Sequence, residues 1–141
     1  MIKYKHTNSY MSLDAWVMAN VVQLWTDHFC SRFVSSDPLY RNTPHNHQEF
    51  VQDDPTGRQY DQRTQAARSG VANIAEGIAR HSTSRATEMK LLDVALASLQ
   101  ELKNDYLHFM LLFGCAPWPK ADPNLGTIVQ TKIQSASYGD D

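Results

Sequence analysis

From Ser69 to Gly114 the chain reads SGVANIAEGIARHSTSRATEMKLLDVALASLQELKNDYLHFMLLFG, and this stretch limits the fold more than any other. It is the end of one helix, a polar turn, and a second helix of about 30 residues, or roughly 45 Å. His81-Ser82-Thr83-Ser84 forms the turn, and its hydroxyl residues can cap the following helix. Met89, Leu92, Ala95, Leu96, Leu99, Leu102, Tyr106, Phe109, Met110 and Phe113 recur at three- and four-residue intervals, the spacing of one helix face. Gly114 then supplies an ordinary helix stop. A turn this short makes the two helices antiparallel neighbours.

The first helix of this hairpin has little bulk in its second half, where Ala66, Ala67, Ser69, Gly70, Ala72, Ala75, Gly77 and Ala79 crowd together. A glycine inside a helix costs about 1 kcal/mol relative to alanine, so Gly70 and Gly77 need a compensating reason. Seven residues apart, they share nearly the same face. A close backbone approach by another helix supplies the reason, and burial of this helix on two sides predicts an oligomer.

The remaining chain adds two helices. Ser12 and Asp14 open helix 1, about residues 12–34, in which Leu13, Trp16, Val17, Val21, Leu24, Trp25 and Phe29 keep helical spacing. Trp16 and Trp25 read as core or interface anchors. Residues 35–57 carry three prolines, a glycine, two asparagines and three aspartates, the chemistry of a long loop. Tyr40 and Phe50 in this loop either pin it to the body or meet a partner. Asp54-Pro55 gives a cap followed by proline, so helix 2 is placed at about 55–80, with helix 3 at about 84–113. Asp122-Pro123 repeats the signal for helix 4, about 123–136. Four helices without a strand signal predict an all-α, antiparallel up-down-up-down four-helix bundle, one domain over residues 1–141.

Composition narrows the function classes. A formal net charge of −2 argues against coating nucleic acid by bulk charge, although a local basic face remains open. Cys30 and Cys115 lack metal-type spacing and read as free thiols. With no signal-like apolar run and no stretch of about 20 apolar residues, the reading is a soluble, cytoplasmic protein without membrane contact. His45 and His47 flank Asn46 in the loop and read as solvated residues rather than metal ligands. Asp105-x-x-His108 is the one spacing related to bundle di-metal sites, and helices 1 and 4 offer no matching carboxylates. No nucleophile elbow, phosphate loop or dinucleotide turn is present. The sequence predicts no enzyme, cofactor or metal.

The polar residues of the hairpin form a pattern. Asn73, Glu76 and Arg80 fall on one face of helix 2. A chain turning near Ser82 sets Glu76 level with Glu88, with Arg80 forked between the two carboxylates, and puts Glu101 near Arg63. Such a network fixes register; its catalytic alternative is a carboxylate pair for acid/base work. Between Arg58 and Lys103 seven basic residues face five acidic ones. Arg58, Arg63, Arg68, Arg85 and Lys90 could line an exposed face for nucleic acid, repeated around an oligomer, or be ordinary solvated residues.

Asn73-Ile-Ala-Glu76-Gly77, Arg80, Glu88, Leu92, Ala95, Ser98 and Glu101-Leu102 resemble the signature of four-helix-bundle proteins encoded within intervening sequences of bacterial 23S rRNA genes. That family is distantly similar in fold to the accessory variability protein of diversity-generating retroelements. The likeness covers about residues 60–114. It implies a homopentameric ring without catalytic activity, whose relatives bind nucleic acid and a reverse transcriptase through a basic surface. It also implies that Asn73, Glu76, Gly77, Arg80, Glu88, Ser98 and Glu101 serve packing and assembly. The function expected is a scaffold or accessory protein contacting structured RNA, DNA or a nucleic-acid enzyme. The alternative is a protein–protein adaptor that uses the 35–57 loop.

Overall fold

A computed structural model describes Tyr10 and residues 13–37 and 50–128. Ser12, Tyr40, His45, His47 and the predicted helix 4 beyond residue 128 lie outside the described residues. The described chain is mostly helical: α1 (Asp14–Phe33), β1 (Val34–Ser35), β2 (Gln52–Asp53), α2 (Arg58–Ala79) and α3 (Arg85–Leu112), followed by helical residues 123–128.

Each long helix is delimited by local chemistry. Ser84 caps α3 by accepting the Thr87 N–H at 3.2 Å, as its hydroxyl predicts, and Gly114 follows with a φ of 67°. The start of α2 differs from the expectation. Asp54-Pro55 does not begin the helix; it opens a turn closed by the Gly57 N–H on the Asp54 carbonyl. Gly57 takes a φ of 69°, a conformation glycine adopts without strain, and α2 begins at Arg58. Asp54 still caps it from that distance. Its Oδ1 accepts the Gln59 N–H at 3.1 Å and its Oδ2 the Tyr60 N–H at 3.0 Å.

The prediction of a chain without strands also needs correction. Val34 pairs with Gln52 and Ser35 with Asp53 in a two-residue parallel bridge. It clamps the two ends of the long loop together. Phe50 completes the anchorage by packing its ring, tilted by 51°, with its centroid 5.1 Å from that of Phe113.

Inside the molecule α2 lies between α1 and α3. One cluster joins Ala19, Ile74 and Ala95, with Trp16, Val71 and Leu92 packed around it. A second joins Ala66, Ala67 and Leu102, with Val22 and Tyr106 beside it. Both clusters draw on all three helices. Alanines at the contact points let the backbones approach, and the larger Leu102 and Ile74 fill the space between. Beyond them Phe29, Phe33, Phe109 and Phe113 pack edge-on or tilted, with neighbouring centroids 4.8–6.1 Å apart. Trp16 packs against the core, whereas Trp25 is 52% exposed.

The small-residue seam is filled within the chain. A Cβ on Gly70 would stand 2.7 Å from Cδ2 of Leu99, and one on Gly77 would stand 3.3 Å from the Glu88 carbonyl oxygen and the Leu91 Cβ. The helix whose close approach the glycines predict is α3 of the same chain. Burial of α2 on two sides is thus achieved by α1 and α3, and by itself it requires no second subunit.

Candidate nucleic-acid interface

The pairing of α2 with α3 decides where every polar residue of the hairpin goes. Ser69 meets Ser98, Gly70 meets Leu99, and Arg63 reaches the Asp105 carbonyl. These pairs lie about one turn further along α3 than level pairing about Ser82 predicts. Helical side chains lean toward their own N-terminus. In α2 that direction leads away from the turn, and in α3 it leads toward it. Side chains that touch are therefore offset from the backbones that lie level.

This offset takes Glu88 off the level of Glu76, and the arginine fork does not form. Glu88 is buried and meets His81, not Arg80: His81 Nδ1 lies 2.9 Å from Oε2 and 3.0 Å from Oε1. A carboxylate only accepts, so the Nδ1 proton is directed at Glu88. The Nε of Arg85 approaches Glu88 Oε2 at 3.9 Å. Glu76, Arg80 and Glu101 are exposed, and their side chains hold no bond to Glu88 or Arg63 among the described residues. Glu88 stands in the first turn of α3, where the helix dipole favours a negative charge.

A different polar network sits at mid-hairpin. Ser69 Oγ and Ser98 Oγ are 2.9 Å apart, and Asn73 Nδ2 donates to the Ser69 carbonyl at 2.9 Å and to its Oγ at 3.0 Å. Asn73, Gly77 and Ser98 thus lie in the α2–α3 contact, while Glu76, Arg80 and Glu101 do not. Sequence reasoning missed Ser69 and His81. Ser69 stands one turn before Asn73, a detectable interval; His81 is hidden because a turn residue has no helical phase.

Arg63 is not a surface residue. It is fully buried, its Nη2 donating to the Asp105 carbonyl at a long 3.4 Å and its guanidinium lying 6.0 Å from the Phe109 ring centroid. Nε and Nη1 are buried without a hydrogen-bond partner. Beside it, the Cys30 thiol is pushed up to about 11 by burial, opposed by Arg63 and reinforced by Asp27, Asp105 and Asp54. The Tyr106 hydroxyl, 2.8 Å from Thr26 Oγ1, is also raised, chiefly by burial, with the Thr26 bond pulling the other way. Cys30 holds its proton and is fully enclosed, so it offers no nucleophile to solvent.

Arg58, Arg68, Arg85 and Lys90 are exposed, yet they do not share one face. At about 100° per residue Arg58 and Arg68 lie about 80° apart on α2, and Arg85 and Lys90 about 140° apart on α3. With Arg63 buried, the exposed face that these five residues could have lined is divided into separate patches.

A cavity of about 270 Å³ opens between the end of β1 and the start of α2, lined by Val34, Ser35, Ser36, Asp54, Gly57, Tyr60 and Asp61. Two carboxylates and no cation line it, an environment that disfavours a phosphate group. It includes none of the predicted site residues. Among the described residues no group of three or more His, Cys, Asp or Glu side chains is placed to hold a metal ion, and no helix is long and apolar enough to cross a membrane. No family model, curated protein or solved structure matches the chain.

Proposed function

We propose that this chain is the subunit of a non-enzymatic homo-oligomer that serves as a scaffold or accessory protein for structured RNA or DNA, or for a nucleic-acid enzyme such as a reverse transcriptase. The observation that carries the reading is apolar surface on two helices. Met89 and Leu96, seven residues apart on α3, are 55% and 56% exposed, and half-buried Leu107 and Met110 continue the same side. On α1, Leu24 and Trp25 are likewise exposed. A repeated stripe of this kind on a helix marks an interaction surface more often than a solvated face. A second copy would cover it.

The finer architecture belongs to the same proposal. An antiparallel up-down-up-down four-helix bundle is part of this reading, supported by the packing of α2 against both α1 and α3 and by the helical residues 123–128 that follow α3 in the chain. Five-fold assembly follows the family resemblance, with Asn73, Gly77, Glu88 and Ser98 serving packing within the chain and exposed Glu76, Arg80 and Glu101 available for contacts between subunits. The adaptor reading, through the 35–57 loop, has support in the clamped ends of that loop.

Light scattering on the eluting full chain tests the assembly. Five times the 16.0 kDa chain mass is the expected result. A monomer across the micromolar range would overturn the ring, and a well-defined oligomer without salt-sensitive RNA or DNA affinity would favour the adaptor.

A further inference from the structure

We propose that His81, in the α2–α3 turn, is a phosphoryl acceptor: its Nε2 takes a phosphoryl group from a phosphoramidate, a donor that carries phosphate on nitrogen. The modification goes beyond the scaffold reading and does not depend on it, since the group is accepted once per chain and not turned over.

The geometry begins with Glu88. The close approach of α2 and α3 holds its backbone, as a Cβ on Gly77 would stand 3.3 Å from the Glu88 carbonyl oxygen. Its side chain is 10% exposed, and both carboxylate oxygens converge on one ring atom, His81 Nδ1, at 2.9 and 3.0 Å. A carboxylate only accepts, so in the neutral imidazole the proton is fixed on Nδ1 and the lone pair on Nε2. The backbone of His81 is held as well, its N–H donating to the Ile78 carbonyl at 3.1 Å. The imidazole is nonetheless 45% exposed, and Nε2 makes no hydrogen bond among the described residues. A nucleophilic histidine needs this combination, one nitrogen oriented by a carboxylate and the other open to its substrate.

His81 differs in this from the other histidines of the helices. His28 and His108 are exposed too, but no carboxylate holds their rings among the described residues. The surroundings of His81 also suit a group with anionic oxygens. Arg85 brings its Nε to 3.9 Å from Glu88 Oε2, the same oxygen that His81 meets, and its side chain is 75% exposed. A guanidinium therefore stands beside the imidazole, a local pairing that does not depend on the net charge of this end. Ser82, the next residue, adds an exposed hydroxyl. Phosphoryl oxygens are held by such donors.

In the transfer the Nε2 lone pair attacks phosphorus and the P–N bond of the donor breaks. Its electron pair leaves on the donor nitrogen, already protonated, as a free amine. The new Nε2–P bond turns the ring into an imidazolium whose Nδ1 proton stays on the Glu88 bond, and the carboxylate balances the new charge. One P–N bond replaces another, so the exchange is reversible.

Incubation of the full chain with potassium phosphoramidate at neutral pH tests the proposal, followed by intact mass, peptide mapping without acid, and phosphorus NMR. His81 should gain the phosphoryl group at least about tenfold faster than His28 or His108, and on Nε2 alone. H81Q should lose this fast phase. E88Q keeps an acceptor for Nδ1 but not the charge that balances the imidazolium, so it should react at least about tenfold more slowly. E88A frees the tautomer and should give a mixture of Nε2 and Nδ1 products, an outcome that a merely structural Glu88 would not produce. Melting followed by circular dichroism shows that each variant is folded, and the wild-type rate ratio and isomer require no variant. Equal labelling of His28, His81 and His108, label on Nδ1 of His81 in the wild type, or a folded E88Q that reacts at the wild-type rate overturns the proposal.

Discussion

Replacing Gly70 by alanine tests how closely α2 and α3 are pressed together. In a helix open to solvent the change stabilises by about 1 kcal/mol, because alanine loses less backbone freedom on folding. Here the added methyl would stand 2.7 Å from Cδ2 and 2.9 Å from Cγ of Leu99. Those separations are about 1 Å short of carbon–carbon contact, so Leu99 must leave its rotamer or the helices must part. Overpacking of this size costs about 1–3 kcal/mol. The balance is a destabilisation of about 1 kcal/mol, or about 3 °C in Tm for a domain near this length.

The same geometry fixes what happens without Leu99. Leu99→Ala removes the obstacle, and Gly70→Ala in that background should stabilise by about its intrinsic 1 kcal/mol. The coupling between the two sites is then about 2 kcal/mol, well above the few tenths expected of independent positions. Urea denaturation of the four proteins at equal chain concentration measures it, with concentration held fixed because assembly adds to apparent stability. Stabilisation by Gly70→Ala in both backgrounds would refute the tight seam.

Alkaline pH should destabilise the protein through Cys30. Its folded value of about 11 exceeds the ordinary 9.0, so the unfolded chain releases the proton first and stability declines from about pH 9 to about pH 11. At about 1.4 kcal/mol per unit the loss is about 2–3 kcal/mol; in Cys30→Ala the decline measured by urea titration should be shallower, with the raised Tyr106 leaving a residual slope of the same sign. Asp54→Ala removes the acceptor for the Gln59 and Tyr60 N–H groups and should cost about 1–2 kcal/mol in the same assay, with Asp54→Asn costing less.

What was legible in the sequence followed from local rules. The Ser84 cap, the Gly114 stop and the three- and four-residue spacing each act over a single turn, and the helices lie within a few residues of where these signals put them. The identity of each polar partner was not legible, because it depends on which side-chain atoms meet across two helices. An offset of one turn, set by the lean of side chains along each helix, took Glu88 away from Glu76, and the turn residue His81 meets it instead of Arg80. The offset also carried Arg63 to Asp105 instead of Glu101. The inward phase of Arg63 could have been read from its seven-residue interval to Gly70 and Gly77. Its charge obscured that phase, since charge alone argues for the surface. The β1–β2 bridge lies beyond any periodicity argument, as two residues per strand are too few to show a period.

That bridge bears on how the chain can vary. Ser35 and Gln52 belong to adjacent extended segments, about 5 Å apart in the spacing of paired strands. The bridge holds the two ends of the segment between them side by side, as an eyelet holds thread. The segment's length is thereby uncoupled from the three helices. Doubling it would cost only about 0.6 kcal/mol of closure entropy, and neither the end of α1 nor the start of α2 would have to move. Within this molecule the eyelet is where sequence can be added, removed or exchanged without rewriting the rest of the fold.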